Sequence, residues 1–396
     1  MSWATGLLAA LWMGWAIAGR RWRIEPRLDA TSPRVPIAER VVAVVPARNE
    51  ADELPHTLSA LLAQRHPSLH VILVDDHSTD GTGAVAERLA REHGAAARLT
   101  VLPAADLPAG WTGKVWAQHQ GVTEAIARGA QWIWLTDADI RHAPDVLERL
   151  VATAQRRRRD LVSIMARLRC ETGFEKLLIP AFTYFFAGIY GFGATANDRS
   201  RVAGAAGGCV LVRRTLLERA GGMAAIRDAV IDDCALARVC KDAGGRLWLG
   251  YDPGVESTRG YPTLAALWDM VARSAYTQLR RNPLILLGCV AGLAYVFFLP
   301  WFAMVMGSPT DRVLGLVAYA AMVRTYVPMV IWLGCRPAWA LTLPVSAALY
   351  TAMTVSSAVR HHHGHGAAWK GRAYRVEMTP EHRPSPGPST QSSRPA

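Results

Sequence analysis

From Arg40 onward the hydrophobic residues fall into two alternating patterns. Short, almost wholly apolar runs occupy Val41–Val45, His70–Val74, Arg98–Leu102, Gln131–Leu135, Leu161–Met165, Cys209–Val212 and Leu247–Gly250. Their length and their β-branched and aromatic content predict strands buried on both faces. Between several of them lie longer stretches, Glu53–Gln64, Gly83–His93, Lys114–Arg128 and Pro144–Arg156, that read as helices. In the first, Leu54, Leu58, Leu61 and Leu62 share one helical face; Asp80 ahead of Gly81-Thr82 marks a helix start before the second. Strand and helix in alternation predict an α/β domain over residues 40–282, a mostly parallel sheet flanked by helices.

The pattern changes at both ends. Trp3–Ala18 is apolar and is followed by Arg20, Arg21 and Arg23. Positive charge after the apolar run predicts an uncleaved anchor, residues 1–22, with its basic side in the cytosol. At this length an interfacial helix is the alternative. A polar, Pro-containing linker runs on to Glu39. After Asn282-Pro283, Leu284–Met306, Val313–Leu333 and Ala338–Val359 are each long enough to cross a bilayer, which assigns residues 283–360 to transmembrane helices. Arg324, inside the second, is expected to face protein or reach the interface. Three crossings from a cytosolic domain would leave Arg360, Lys370, Arg372 and Arg375 outside, against the positive-inside tendency. One of the three stretches is therefore expected to stop short of crossing.

Inside the α/β region, Leu177–Tyr190 is apolar and aromatic, with Pro180, Phe182, Tyr184, Phe185, Phe186 and Tyr190. A crossing there would divide the domain between two sides of a membrane. Segment 177–194 reads instead as an interfacial, lipid-facing helix or as a core helix. Residues 379–396, rich in Pro, Ser and Arg, are expected to be disordered.

The 396 residues are 51% hydrophobic and carry a net charge of +12, which suits an anionic partner. Many basic residues flank apolar stretches instead of forming one stripe, so a membrane surface fits and nucleic acid does not. Six cysteines (Cys170, Cys209, Cys234, Cys240, Cys289, Cys335) show no CxxC and no paired spacing. That argues against a disulfide framework or zinc site and predicts reduced thiols. His361-His362-His363 with His365 follows an apolar stretch and reads as a solvated interfacial tail.

Polar residues gather where strands end. Gln131–Leu135 runs into Thr136-Asp137-Ala138-Asp139, two carboxylates spaced as a DxD that can grip a hard divalent cation, which neutralises a diphosphate. A plain Asp-rich turn before Ala143-Pro144 is the competing reading. The first strand ends in Pro46-Ala47-Arg48-Asn49-Glu50 and the second in Asp75-Asp76-His77-Ser78-Thr79-Asp80-Gly81-Thr82. Carboxyl ends of strands are where open α/β sheets bind ligands, although turns use the same residue types. Gly113-Lys114 opens a helix and offers a cation to a phosphate, but GxxxxGK[ST] is absent, which disfavours a P-loop enzyme. Farther on, Asp232-Asp233 either caps the helix Cys234–Lys241 or supplies a base. Upstream, Gly207-Gly208 lets a substrate approach the backbone closely.

The order of these motifs resembles the family 2 glycosyltransferases with the GT-A fold. The matching residues are Val45–Glu50, Val74–Thr82, Gly113-Lys114 with Ala117, and Asp137-Ala138-Asp139. The resemblance implies that Pro46, Arg48, Glu50 and Asp76 surround the base and ribose of a nucleotide diphosphate sugar. Lys114 and Asp137 complete that site, and Asp137 and Asp139 carry Mg²⁺ or Mn²⁺. A uridine nucleotide is the family default. Ile231–Ala237 resembles the Glu-Asp acceptor motif, with Asp232 in the Glu place and Asp233 matching the catalytic base. Gln278 and Arg281 keep the spacing of a Gln-x-x-Arg-Trp element, but Asn282 stands where Trp is expected. That departure favours transfer of a single sugar over polymerisation. Arg273, Arg280 and Arg281 read equally as charges on lipid headgroups. The membrane layout, Gly207–Arg214 and Trp369-Lys370-Gly371-Arg372 look closest to the hopanoid-biosynthesis-associated branch.

The sequence thus predicts a multi-pass inner-membrane enzyme with a cytosolic catalytic domain. It passes a sugar from a nucleotide diphosphate sugar to a lipid acceptor, with inversion. A polyprenyl-phosphate acceptor fits the physics as well as a hopanoid. The rivals are a decayed sugar-lipid-binding protein, resting on the altered Gln278–Asn282 element, and a nucleotidyltransferase, which needs no acceptor base.

Overall fold

In the computed structural model, residues 2–29 and 39–363 are described, with the backbone of a short antiparallel pair, Ala368–Trp369 with Arg372–Ala373. The linker 30–38, His365, the side chains of the Trp369–Arg372 motif, Arg375 and the tail 379–396 lie outside the described residues.

Strands β1 (Val41–Ala47), β2 (Leu69–Asp75), β3 (Leu99–Pro103), β4 (Trp132–Leu135), β5 (Ile140–His142), β6 (Leu161–Arg167), β7 (Val210–Arg213) and β8 (Leu247–Ser257) form one sheet. Their spatial order is β3-β2-β1-β4-β7-β6-β8-β5. β1 is buried along its whole length. Alternate side chains feed two cores, as the two-residue period of a strand requires. Val41, Ala43 and Val45 join Trp132 and Trp134 under helices Leu54–Leu62 and Val146–Arg156. Val42 and Val44 join Ile133 and Leu135 under helix Gly113–Ala127. That helix sits directly on the sheet: a Cβ at Gly121 would lie 2.4 Å from Val44 Cγ1.

The half of the sheet from β3 to β4 is parallel throughout, as the alternation predicted. The other half is mixed, because β7 enters antiparallel between β4 and β6, and β5 pairs antiparallel with β8. A strand covered on both faces has the same hydrophobic pattern whichever way it runs, so the sequence carries no signal for this. β5 and the second half of β8 are elements the pattern did not predict. β8 continues through Asp252-Pro253-Gly254, which reads as a turn, past a register irregularity opposite Met165–Arg167.

A third core joins the sheet to the apolar helices. It packs Met165, Leu249 and Tyr251 with Leu178, Ile179 and Tyr184 of helix Gly173–Tyr190, and with Met322, Tyr326 and Met353 of the C-terminal helices. Thr172 and Glu175 form a capping box that starts helix Gly173–Tyr190. Its first turn is tied to the α/β domain through Tyr261, whose amide donates to Glu175 Oε1 at 2.6 Å. Its last residue, Tyr190, donates to Gln278 Oε1 at 2.9 Å. In between, Tyr184 meets Thr325 at 2.9 Å, Phe185 packs edge-on against Phe297, and Leu177 and Leu178 accept from Ser346 and Tyr350. The helix is therefore a layer between the sheet and the C-terminal helices.

Among the described residues, four helical stretches are long and apolar enough to cross a membrane: Gly173–Thr195, Pro283–Met306, Pro309–Trp332 and Pro337–His362. The N-terminal helix Ser2–Ala18 is shorter and runs alongside Pro309–Trp332. Thr5 donates to Asp311 Oδ1 at 3.1 Å at one end, and Arg21 reaches Gly188 O beyond the other. Arg324 lies 5.9 Å over the ring of Trp22, so its charge reaches the end of the bundle nearest the sheet.

Candidate active site

The carboxyl ends of β1, β2 and β4 open on one cleft. At the end of β1 the chain turns sharply. Asn49 takes a left-handed φ of 52°, and its Oδ1 accepts from Thr79 N at 2.8 Å. The amide of Glu50 donates to Thr82 Oγ1 and that of Ala51 to Asp80 Oδ2. These bonds clip the loops after β1 and β2 together. Pro46, the penultimate residue of β1, is paired with Val74. Arg48 Nη1 donates to Asp76 O at 2.6 Å and lies 3.6 Å from Asp76 Oδ2. Pro46, Arg48, Glu50 and Asp76 thus share one rim.

The centre of the cleft is Lys114, in the first turn of helix Gly113–Ala127. Its Nζ lies 2.8 Å from Asp137 Oδ1 and 3.1 Å from Asp232 Oδ2. Burial disfavours a charged Lys114, but Asp137 and Asp232 outweigh it and raise the pKa. Asp137 is raised as well: burial outweighs Lys114, and the negative charges of Asp139 and Asp232 add to it. Gln118, one turn along the same helix, donates to Asp232 Oδ2 at 3.1 Å.

Asp232 and Asp233 open helix Asp232–Asp242. Neither side chain caps that helix in the ordinary way; no side-chain cap bond is made at its start. Asp233 Oδ2 instead accepts from Gly207 N at 2.7 Å, and its Oδ1 from the amide of Cys234 at 2.7 Å. Burial, then the neighbouring Asp232, push the Asp233 carboxyl up to about 6 against the pull of Lys114. A Cβ at Gly207 would crowd this cluster, lying 3.3 Å from Asp233 Oδ2 and 3.4 Å from Lys114 Nζ. Gly208 differs: it packs on Ile140, and its carbonyl accepts from Thr136 at 2.8 Å. It supports the end of β4 and does not line an open approach.

Asp139 lies on the other side of Asp137. Arg259, two residues beyond β8, donates from Nε to Asp139 Oδ2 at 2.5 Å and from Nη2 to Glu50 Oε1 at 3.0 Å. Burial lowers the Arg259 pKa, but Asp139 and Glu50 raise it further, so it stays a cation. Sequence reasoning missed Arg259, because a lone arginine after a strand carries no motif. Gln118 was passed over for the same reason. Two carboxylates, Asp137 and Asp139, with no larger His/Cys/Asp/Glu cluster among the described residues, suit a hard cation that takes its other ligands from water and phosphate.

The Gln278–Asn282 element divides. Gln278 reaches the Asp233 side of the cleft through Tyr190, whose hydroxyl also lies beside Cys234, next to Asp233. Arg281, with φ of 53°, turns away: its amide closes onto Tyr276 O, and no hydrogen bond or ion pair among the described residues joins it to the cleft. Asn282 caps helix Pro283–Leu293, accepting from Leu284 N and Ile285 N. An Asn in place of Trp there has a structural reason. Arg213 and Arg214 also lie away from the cleft; the first stacks 4.2 Å over Trp132 at the opposite end of β4, and the second pairs with Glu218.

Residues 42–221 match the sequence pattern of Glycosyl transferase family 2, and residues 132–355 that of Glycosyl transferase family group 2. Over 110 residues, 27% of this chain, the sequence is 36% identical to a 4,4'-diaponeurosporenoate glycosyltransferase of Staphylococcus aureus. The match spans only 26% of that relative's length. The fold resembles the solved structure of mannosyltransferase PcManGT from Pyrobaculum calidifontis in complex with GDP-Man and Mn²⁺. Its TM-score is 0.53 at 20% identity, over 90% of this chain and 99% of that one. The mixed sheet with flanking helices is of the GT-A type. With one family pattern covering more than half of its length on this fold, the chain belongs to the family 2 glycosyltransferases.

Proposed function

We propose that the protein is a membrane-bound, inverting glycosyltransferase that moves a sugar from a nucleotide diphosphate sugar to the hydroxyl of a lipid, in hopanoid biosynthesis. The observation that carries this is the Lys114 ammonium shared by Asp137 and Asp232, which joins the donor carboxylates to the acceptor carboxylates in one cleft. The Staphylococcus aureus relative's name supports a lipid-related acceptor. Helix Gly173–Tyr190, ending beside Asp233 and layered against apolar helices, supports delivery of that acceptor from a membrane.

In this reading Pro46, Arg48, Glu50 and Asp76 hold the nucleoside, and Asp137 and Asp139 hold a divalent cation. That cation would supply charge stabilisation of the departing diphosphate. Lys114 adds a fixed positive charge at the same place. Asp233 takes the proton of the acceptor hydroxyl as its oxygen attacks the anomeric carbon. A carboxyl titrating near 6 is deprotonated at neutral pH yet more basic than an ordinary aspartate, which suits a general base. Gly207 N, donating to Asp233 Oδ2, aims the carboxylate. The helix cap at Asn282 gives a structural reason for the departure on which the reading of a decayed site rests.

The membrane arrangement follows from which helix ends meet the α/β domain. Pro283–Met306 leaves the domain and Pro309–Trp332 returns to it, where Trp332 packs on Tyr251. The next segment begins at Cys335, 3.1 Å from Cys170, and ends with Arg360 on Asp269, both on the domain side. We therefore assign Pro337–His362 to the stretch that does not cross. The basic tail then stays on the cytoplasmic side with the domain, as the positive-inside tendency asks. Exposed Leu284, Leu287, Phe302, Val305, Val313 and Leu316 form the lipid-facing band of the hairpin.

Three outcomes test this. Purified protein in lipid with Mn²⁺ should release nucleoside diphosphate only when an acceptor lipid is added. Asp139→Ala should abolish the release, and Asp233→Asn should slow it about 10²- to 10⁴-fold. A hopanoid and a polyprenyl phosphate are offered side by side; turnover only on the second would move the acceptor assignment. Alkaline phosphatase fused after Ser308 should be active and fused after His363 inactive, whereas activity at both would mean that Pro337–His362 crosses. In metal-free protein, raising the Asp233 pKa from about 3.8 to about 6 means that its protonated form favours folding. That contribution is complete below the unfolded value and is lost as pH rises through about 6. The melting temperature of wild type should fall relative to Asp233→Asn over that window, and a constant difference from pH 4 to 7 would contradict the assigned environment.

A further inference from the structure

Arg259 stands between two parts of the donor site that the chain could have left to a bound cation. Its Nε is 2.5 Å from Asp139 and its Nη2 is 3.0 Å from Glu50. Glu50 and Asp139 are both largely shielded, at 8% and 14% side-chain exposure, while Arg259 is 33% exposed. Two carboxylates at such low exposure repel each other unless a cation lies between them. The segment carrying Arg259 is pinned on both sides. Thr258 donates from its amide to Asp139 O at 2.9 Å and from its hydroxyl to Glu53 at 2.5 Å. Tyr261 N is held by Glu175, and a Cβ at Gly260 would lie 3.0 Å from Arg169 Nη1. Any change at Arg259 therefore falls on its side chain and not on its backbone.

Resting on the reading of Asp139 as a metal ligand, we propose that Arg259 is a built-in counter-cation of the donor site, competing with the divalent ion for Asp139 and serving the nucleoside diphosphate once displaced. A divalent ion arriving alone must displace a charge-assisted bond from Asp139, so the ion alone binds weakly. A nucleoside diphosphate brings two negative phosphates, and a guanidinium freed from Asp139 is a fork-shaped donor suited to them. Its second bond, to Glu50, keeps it at the rim meanwhile. Arg259 is thus a positioning and selectivity residue: it favours joint binding of ion and nucleotide over binding of the ion by itself.

The test measures Mn²⁺ affinity by electron paramagnetic resonance on the full-length protein, with Mn²⁺ alone and with Mn²⁺ plus UDP or GDP. Wild type is compared with Arg259→Gln, Arg259→Lys and Asp139→Ala, each also checked by thermal melting. Arg259→Gln should bind Mn²⁺ alone about tenfold more tightly, and the nucleotide–Mn²⁺ pair about tenfold more weakly, as loss of one charge-assisted contact of about 1.4 kcal/mol implies. Arg259→Lys, which keeps the charge but loses the fork, should retain weak binding of Mn²⁺ alone and recover part of the nucleotide affinity. Unchanged or weaker binding of Mn²⁺ alone to a folded Arg259→Gln protein overturns the inference while leaving Asp139 as a ligand. If Arg259→Gln does not fold, tight binding of Mn²⁺ alone to Arg259→Lys overturns it equally. Equal Mn²⁺ affinity of wild type and Asp139→Ala, with nucleotide present, overturns the metal reading itself, and the inference with it.

Discussion

Three carboxylates in one half-closed cleft are the constraint on which this structure turns. Asp137, Asp232 and Asp233 come from two distant parts of the chain, and the charge of Asp232 raises the cost of ionising both Asp137 and Asp233. Lys114 makes the arrangement tenable by lying within ion-pair distance of Asp137 and Asp232 at once. It reaches them because helix Gly113–Ala127 lies against β1 and β2, an approach that the missing side chain of Gly121 permits. The backbone amides of Gly207 and Cys234 take up what remains of the Asp233 charge. A second cation, Arg259, does the same on the far side for Asp139 and Glu50. Fixed cations thus stand among these carboxylates before any ligand arrives, the preorganisation on which the proposed transfer would draw.

The second constraint is mechanical. Helix Gly173–Tyr190 is anchored to the α/β domain at both ends, by Glu175 with Tyr261 and by Tyr190 with Gln278. Its middle packs on the C-terminal helices through Tyr184, Phe185 and the carbonyls of Leu177 and Leu178. The cleft therefore has a fixed position relative to the apolar helices. Tyr261, held by Glu175, lies two residues after Arg259, so Asp139 and the start of this helix are linked through one short segment.

Much of this was legible in the sequence, for reasons that can be stated. The parallel half of the sheet and its helices follow from long, regular hydrophobic periods. Lys114, Asp137, Asp232 and Asp233 were identified from motif order, and they do converge. Three features were hidden. β7 and β5 run antiparallel, which burial patterns do not record. Arg259 takes its importance from a long-range ion pair, and no local spacing marks such a partner. Gln278 and Arg281 keep a familiar spacing, yet only Gln278 is directed to the Asp233 side of the cleft, since the left-handed turn at Arg280 and Arg281 points the second arginine elsewhere. Parity of the apolar stretches raised the question of which one does not cross, and the contacts at Cys335 and Arg360 support the arrangement proposed above.

The central claim is that a carboxylate beside Gly207 directs a lipid hydroxyl at the anomeric carbon of a bound nucleotide sugar. The most direct measurement is the anomeric configuration of the sugar in the lipid product, read from the one-bond carbon–proton coupling by nuclear magnetic resonance. The account predicts a product whose configuration is opposite to that of the donor, with the sugar on a lipid oxygen. A product with retained configuration, or free sugar from hydrolysis as the sole product in the presence of lipid, would contradict it.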